Sequence, residues 1–254
     1  MIRHRVAALY AALVLAFLHV PLLILIVFSF NANRFTVWTG FSLHWYRAAL
    51  EDTQLAESLM NSVVIALTAA ALATVIGTLA AWAMWRRSAR WLSATLYLSL
   101  VTPEIVTGIA LLALFQGAFR FLRLSLGMHT VILAHVAFSI AYVTIVVSAR
   151  LRQYDRSLEE AAMDLGATEI RAFLRVTLPN IAPAVAAAAL LALVVSFDDY
   201  VITSMVAGVD SETLPMVIYA MARRGVSPVV NAVSSMIVVL FGALILISQR
   251  LQKG

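Results

Sequence analysis

Apolar residues fall in six blocks, at about residues 7–30, 56–85, 91–118, 128–149, 184–207 and 229–248, and charged residues gather between them. Helices of about 20 apolar residues match the roughly 30 Å hydrocarbon core of a bilayer. No block shows the ten-residue alternation of barrel strands, so the pattern predicts spanning helices. The first block follows a basic start, MIRHR, but its apolar run is too long for a signal peptide and no convincing small-residue cleavage site follows it. It reads as a retained first helix.

Between the fourth and fifth blocks lies the one long polar connection, residues 150–183. Its stretch SLEEAAMDLGATEIRAFLRVTLPNIAP has helical spacing from Ser157, with Glu160 three residues on in a capping-box pattern. Gly166 interrupts it, a second short helix is predicted over 169–176, and Pro179 and Pro183 are expected to end that helix before the fifth block. Phe173 and Leu174 are then available to pack outward. An amphipathic helix–glycine–helix unit suits docking of a cytoplasmic partner; the alternative is a helix lying on the membrane surface.

Composition strengthens the membrane reading. The 254-residue chain is 63% hydrophobic and 12% charged, with a mean hydropathy of +0.94, against roughly half and a quarter in soluble domains. The net charge of +5 then reflects loop arginines rather than nucleic-acid binding. With the N-terminus inside, twelve of the 18 Lys and Arg residues fall in cytoplasmic pieces, which favours both termini cytoplasmic. The absence of cysteine excludes disulfides, thiolate metal sites and cysteine nucleophiles.

The segment Glu160 to Pro179, EAAMDLGATEIRAFLRVTLP, resembles the EAA loop of permease subunits of ATP-binding-cassette importers. Glu160, Ala161, Ala162, Gly166, Leu178 and Pro179 carry the match. The resemblance implies an all-α integral membrane protein of the type I importer permease fold, a single permease domain over 1–254 with six spans. It also implies that the loop is a coupling helix seated on a cytoplasmic ATPase, with Glu160, Ala161, Ala162, Gly166, Phe173 and Pro179 as coupling residues. Glu160 is either a helix cap or an ion-pair partner for the ATPase. No G-x-x-x-x-G-K-[ST] loop occurs in the chain. This chain is therefore expected to be non-catalytic and without a cofactor, with ATP and Mg bound by the partner.

SFDDYVITSMVAG, with TLPMVIYAMARRGVSPVVNAVSS after it, is similar to the PotC-like permease subunit of spermidine/putrescine importers. That subfamily implies a second homologous permease, two ATPase subunits, an extracytoplasmic substrate-binding protein and a bacterial inner-membrane location. Related permeases imply other cargoes: an amino-acid derivative such as γ-aminobutyrate, a phosphonate or thiamine. An ion-coupled carrier and an intramembrane enzyme are the readings from other classes. The internal repeats usual in carriers are missing, and the chain has neither H-E-x-x-H nor G-x-S-x-G.

Three carboxylates lie deep in apolar blocks: Glu104, Asp198 and Asp199. At 1.5 Å per residue along straight spans, Glu104 is about 20 Å and Asp198 about 21 Å from the inner side. Carboxylates at one depth suit a cationic ligand, whose ammonium offers three donors. Neighbouring helical residues point about 100° apart, so one aspartate is expected to face the substrate path and the other a neighbouring helix or the partner permease. Both could instead serve only that interface, and Glu104 could satisfy backbone groups freed by Pro103. Tyr200 is a candidate for stacking on an alkylammonium or for the core. His19, His135, Asn61 and Ser62 read as packing residues. Trp82 and Trp85 with Arg86 and Arg87 read as an interfacial belt. Tyr219, Arg223 and Arg224 are candidates for binding-protein contact or gating, with lipid headgroup contact as the alternative for the two arginines.

Overall fold

The computed structural model describes residues 2–33, 37–87, 90–122, 125–225 and 228–251. The described residues form helices α1 (Ile2–Ser29), α2 (His44–Glu51), α3 (Thr53–Arg86), α4 (Arg90–Val101), α5 (Glu104–Leu122), α6 (Met128–Leu151), α7 (Ser157–Asp164) and α8 (Glu169–Ala172). A π-helical turn, Phe173–Thr177, leads into α9 (Leu178–Asp198), followed by α10 (Val201–Val206), α11 (Leu214–Arg223) and α12 (Pro228–Leu251).

Among the described residues, four helices are long and apolar enough to cross a bilayer: Val6–Ser29, Thr53–Arg86, Met128–Leu151 and Glu169–Asp198. The third block is not the continuous span predicted. Trp91–Val101 and Glu104–Ala118 meet at a 110° bend, because Pro103 cannot donate into the helical ladder. Thr102 closes the first piece by donating from N and Oγ1 to Leu98 O, at 3.0 and 2.7 Å. The fifth block also breaks, after Asp198.

The backbone divides into two compact units, residues 1–57 with 217–254, and 58–216. In the first, α12 packs against α1 and α2. Asn31 organises the turn after α1: its amide donates to Val37 O at 2.8 Å and its Oδ1 accepts from Thr39 N at 3.0 Å.

In the second unit, α6 is the central helix, packed against α4, α5, α9 and α10. Small residues let helices approach closely where apolar surroundings supply little driving force. Ala70, Ala73 and Ala81 of α3 are buried with Val143, Val147 and Leu151 of α6 and Ala188 and Ala192 of α9. A Cβ on Gly77 would lie 2.8 Å from Val143 Cβ, so this crossing requires glycine.

The long loop is helix–glycine–helix, with a different start and end from those predicted. Ser157 is not the cap of α7; Asp155 Oδ1 accepts from Ser157 N at 3.0 Å, and Ser157 already lies inside the helix. The end of α7 is a Schellman motif, with Gly166 N on Met163 O and Ala167 N on Ala162 O. Gly166 has φ +91°, the left-handed conformation that glycine adopts without strain. Pro179 and Pro183 do not stop the second helix, which runs unbroken from Glu169 to Asp198. Pro179 has no N–H to return to the preceding turn, and the π turn absorbs the mismatch there, with Leu178 N bonding five residues back to Phe173 O.

Candidate functional site

The breaks in the third and fifth blocks face one cavity of about 450 Å³ in the second unit. Glu104, Asp198, Asp199 and Tyr200 all line it, with Tyr142 of α6 and Thr102 at the bend among their neighbours. Thus the four candidate path residues share one space. Equal depth along straight helices is not the reason, since the 110° bend invalidates that estimate for Glu104. They converge because each helix is interrupted beside its acid.

The two aspartates differ. Asp199 leaves helical geometry, with φ −66° and ψ 125°, and its side chain caps α10. It accepts from Thr203 N at 2.8 Å, Thr203 Oγ1 at 2.7 Å and Ile202 N at 3.4 Å. This satisfies backbone donors that the first turn of a helix otherwise leaves open. His135 of α6 stands 3.4 Å away through Nε2, and the Asp199 side chain is only 6% exposed. Asp198, the last residue of α9, is exposed toward the cavity and accepts no hydrogen bond among the described residues. Glu104 opens the first turn of α5, where the positive end of the helix favours a carboxylate. It does not bind the backbone groups at the Pro103 bend; Thr102 does.

His135 holds both sides of the break. Its Nδ1 is 2.7 Å from Ser196 Oγ on α9, and its Nε2 is 2.9 Å from Thr203 Oγ1 on α10. His135, Ser196 and Thr203 are all buried. Thr130, at the start of α6, lies 2.7 Å from Val206 O at the far end of α10. A Cβ on Gly208 would sit 1.8 Å from Leu126 O, so the following turn presses against backbone. His135 is a buried, hydrogen-bonded residue. That it clasps the site had no local signal, since its partners are 61 and 68 residues away.

At the loop, the predicted coupling residues separate. Glu160, Ala161, Gly166 and Pro179 are exposed and Ala162 is half-buried. Glu160 does not cap a helix; it pairs with Arg156 at 3.1 Å. Phe173 does not point outward: it is buried, with its ring 4.5 Å from that of Trp82. Leu158, Leu165, Ile170 and Leu174 are the exposed apolar side chains here. Trp82 and Arg86 also depart from an interfacial belt, since both contact the loop: Arg86 pairs with Glu159 at 2.8 Å.

Toward the other end, Asn61 Nδ2 donates to Asp210 O and Glu212 O at 3.3 and 3.0 Å, and Ser62 Oγ accepts from Leu214 N at 2.8 Å. In α11, Tyr219, Arg223 and the adjoining Arg224 are exposed, with the Arg223 guanidinium 5.8 Å from the Tyr219 ring centre.

Long apolar helices interrupted around a carboxylate-lined cavity define a multi-pass membrane protein with a polar site inside its helical bundle. The chain belongs to the family of binding-protein-dependent transport system inner membrane components, whose model matches residues 73–253. It is 42% identical over 228 residues to the putrescine transport system permease protein PotI of Escherichia coli K12, covering 87% of this chain and 81% of that one. It is 39% identical over 244 residues to the spermidine/putrescine transport system permease protein PotC of Haemophilus influenzae, covering 94% and 93%. A crystal structure of a bacterial ABC transporter involved in import of the acidic polysaccharide alginate superposes with a TM-score of 0.74 at 16% identity, over 98% of this chain and 96% of that one. The fold is that of an ABC importer permease, and the chain is a non-catalytic permease subunit.

Proposed function

We propose that this permease moves small polyamines, putrescine or spermidine, inward through a bacterial inner membrane by alternating access. The observation that carries the reading is the convergence of Glu104, Asp198 and Asp199 on one cavity, in a chain whose relatives are named for putrescine and spermidine transport. Carboxylates near one another in an apolar setting need a cation or a proton. An alkylammonium meets that need with three donors and an apolar stem. Asp198 has its acceptors unused, so it is the substrate-facing member of the pair; Glu104 supplies a second anionic point, and Tyr200 flanks them.

The remaining assignments follow the family. The single permease domain crosses the membrane six times with both termini cytoplasmic and pairs with a second homologous permease. The 150–183 loop meets one of two ATPase subunits, which bind ATP and Mg. Exposed Glu160, Ala161 and Leu165 form that contact, while Gly166, Pro179 and Phe173 shape and support the loop. Tyr219, Arg223 and Arg224 meet the extracytoplasmic binding protein.

The test is D198N in the reconstituted complex. Putrescine and spermidine uptake should fall at least about tenfold, as expected when one charge-assisted contact worth over 1.4 kcal/mol is lost. The ATPase and the second permease should remain bound. Calorimetry on the cognate binding protein provides the complement. Binding of only an anionic or phosphonate ligand would sink the polyamine reading, and unchanged uptake by D198N would remove Asp198 from the path.

A further inference from the structure

The inner end of α3 is fastened to the long loop through one arginine. Arg86, in the last turn of α3, places Nη1 2.8 Å from Glu159 Oε1 on α7 and Nη2 3.0 Å from Glu169 Oε1 on α8. Glu159 is 2% exposed, and its other oxygen accepts from Thr177 Oγ1 in the π turn. The guanidinium also lies 5.5 Å from the centre of the Trp82 ring, the ring that packs on Phe173. All three segments of the loop therefore meet the last two turns of a helix to which the chain does not directly join them. The covalent route from the loop runs only to α6 and α9.

We propose that Arg86 is the joint through which displacement of α7 is carried to α3. The loop thereby drives two membrane helices, α9 through the backbone and α3 through the guanidinium fork. This rests on the reading of the loop as the surface that meets the ATPase. The chemistry suits a stiff joint. A guanidinium is planar and holds two carboxylates in fixed relative orientation, which a lysine ammonium does not. An exposed ion pair yields readily to water and salt. Here Glu159 is withdrawn from solvent and both its oxygens are engaged, so separating α7 from α3 would strand a buried charge.

The chain has no cysteine, so spin labels can be placed at will. Asp164→Cys on α7 and Leu72→Cys on α3 both substitute exposed residues outside the contact assigned to the ATPase. The complete complex, with both permeases, ATPase and binding protein, is measured by pulsed electron spin resonance without nucleotide and with ATP and vanadate. With Arg86 present, the distance between the labels should be the same in both states, because α7 and α3 move together. In R86Q it should shift between the states, and uptake per ATP hydrolysed should fall about tenfold, within the usual size of one coupling energy. R86K should fall between the two.

A distance that already changes with Arg86 present would overturn the proposal, as would an R86Q complex with the native uptake-to-hydrolysis ratio. If R86Q does not assemble, the measurement with Arg86 present still decides. The loop reading fails separately: an A161D complex that retains its ATPase at native affinity would remove the docking surface whatever the label distance shows.

Discussion

Truncating Asp199 should destabilise the protein far more than truncating its neighbour. In D199A the helix α10 loses its cap, at about 1 kcal/mol. The Thr203 hydroxyl also loses the carboxylate in a buried setting, at about 1–3 kcal/mol, while His135 Nε2 keeps Thr203 Oγ1 at 2.9 Å. The sum is at least about 2 kcal/mol. For a chain of this size that corresponds to a fall of about 4–8 °C in apparent unfolding temperature. D199N keeps an oxygen for Thr203 N, and asparagine caps as well as aspartate, so it should recover about 1 kcal/mol of the loss. D198A removes an exposed side chain that has no hydrogen-bond partner among the described residues, and should stay within about 0.5 kcal/mol of the native protein. The assay is thermal unfolding of the detergent-solubilised complex, followed by intrinsic fluorescence and by loss of the assembled species on gel filtration. Equal destabilisation by D198A and D199A, or a D199A unfolding temperature within about 2 °C of native, would refute the division of labour between the two acids.

Gly208→Ala should cost about 1–3 kcal/mol or more, because its Cβ would overlap the Leu126 carbonyl at 1.8 Å; reduced yield of folded complex and a lowered unfolding temperature would show it. Phe173→Ala should cost about 3–5 kcal/mol, since the ring is 4% exposed against Trp82, whereas Leu174→Ala, at a half-exposed position, should cost far less in the same melt and instead weaken ATPase retention. Hydrogen bonds from Ser157 hold the exposed Asp155 carboxyl below its ordinary value of 3.8. Its support for the start of α7 is thus complete above that value and is lost only as the pH falls below it, so ATPase retention should be flat from about pH 8 to pH 5.

What could be read along the chain and what could not divides by the distance between partners. The loop was legible because its determinants are local: Gly166 terminates α7 by its own φ and by bonds reaching back only a few residues. The helical, membrane-spanning character was legible because apolar block length is set by the bilayer. The break after Asp198 was not, since an aspartate in an apolar run looks like a misplaced charge until Thr203 and His135 are seen around it. Pro179 misled for the opposite reason. Proline is a local stop signal, but a π turn one step upstream accommodated it, and periodicity at 3.6 residues cannot anticipate such a turn. Arg86 is the least legible residue of all. Beside two tryptophans at a helix end it fits an interfacial belt, and its carboxylate partners lie 73 and 83 residues away.

The contact between His135 and Ser196 has a further consequence. Nε2 faces an acceptor-rich side, the Asp199 carboxylate and the Thr203 oxygen, so it carries a hydrogen. Nδ1 faces a hydroxyl, which can either donate or accept. Nδ1 therefore accepts from Ser196 Oγ over 2.7 Å. One imidazole thus ties α6 to both pieces of the interrupted span, at Ser196 on α9 and at Thr203 on α10. The break after Asp198 is a braced corner, not a free hinge.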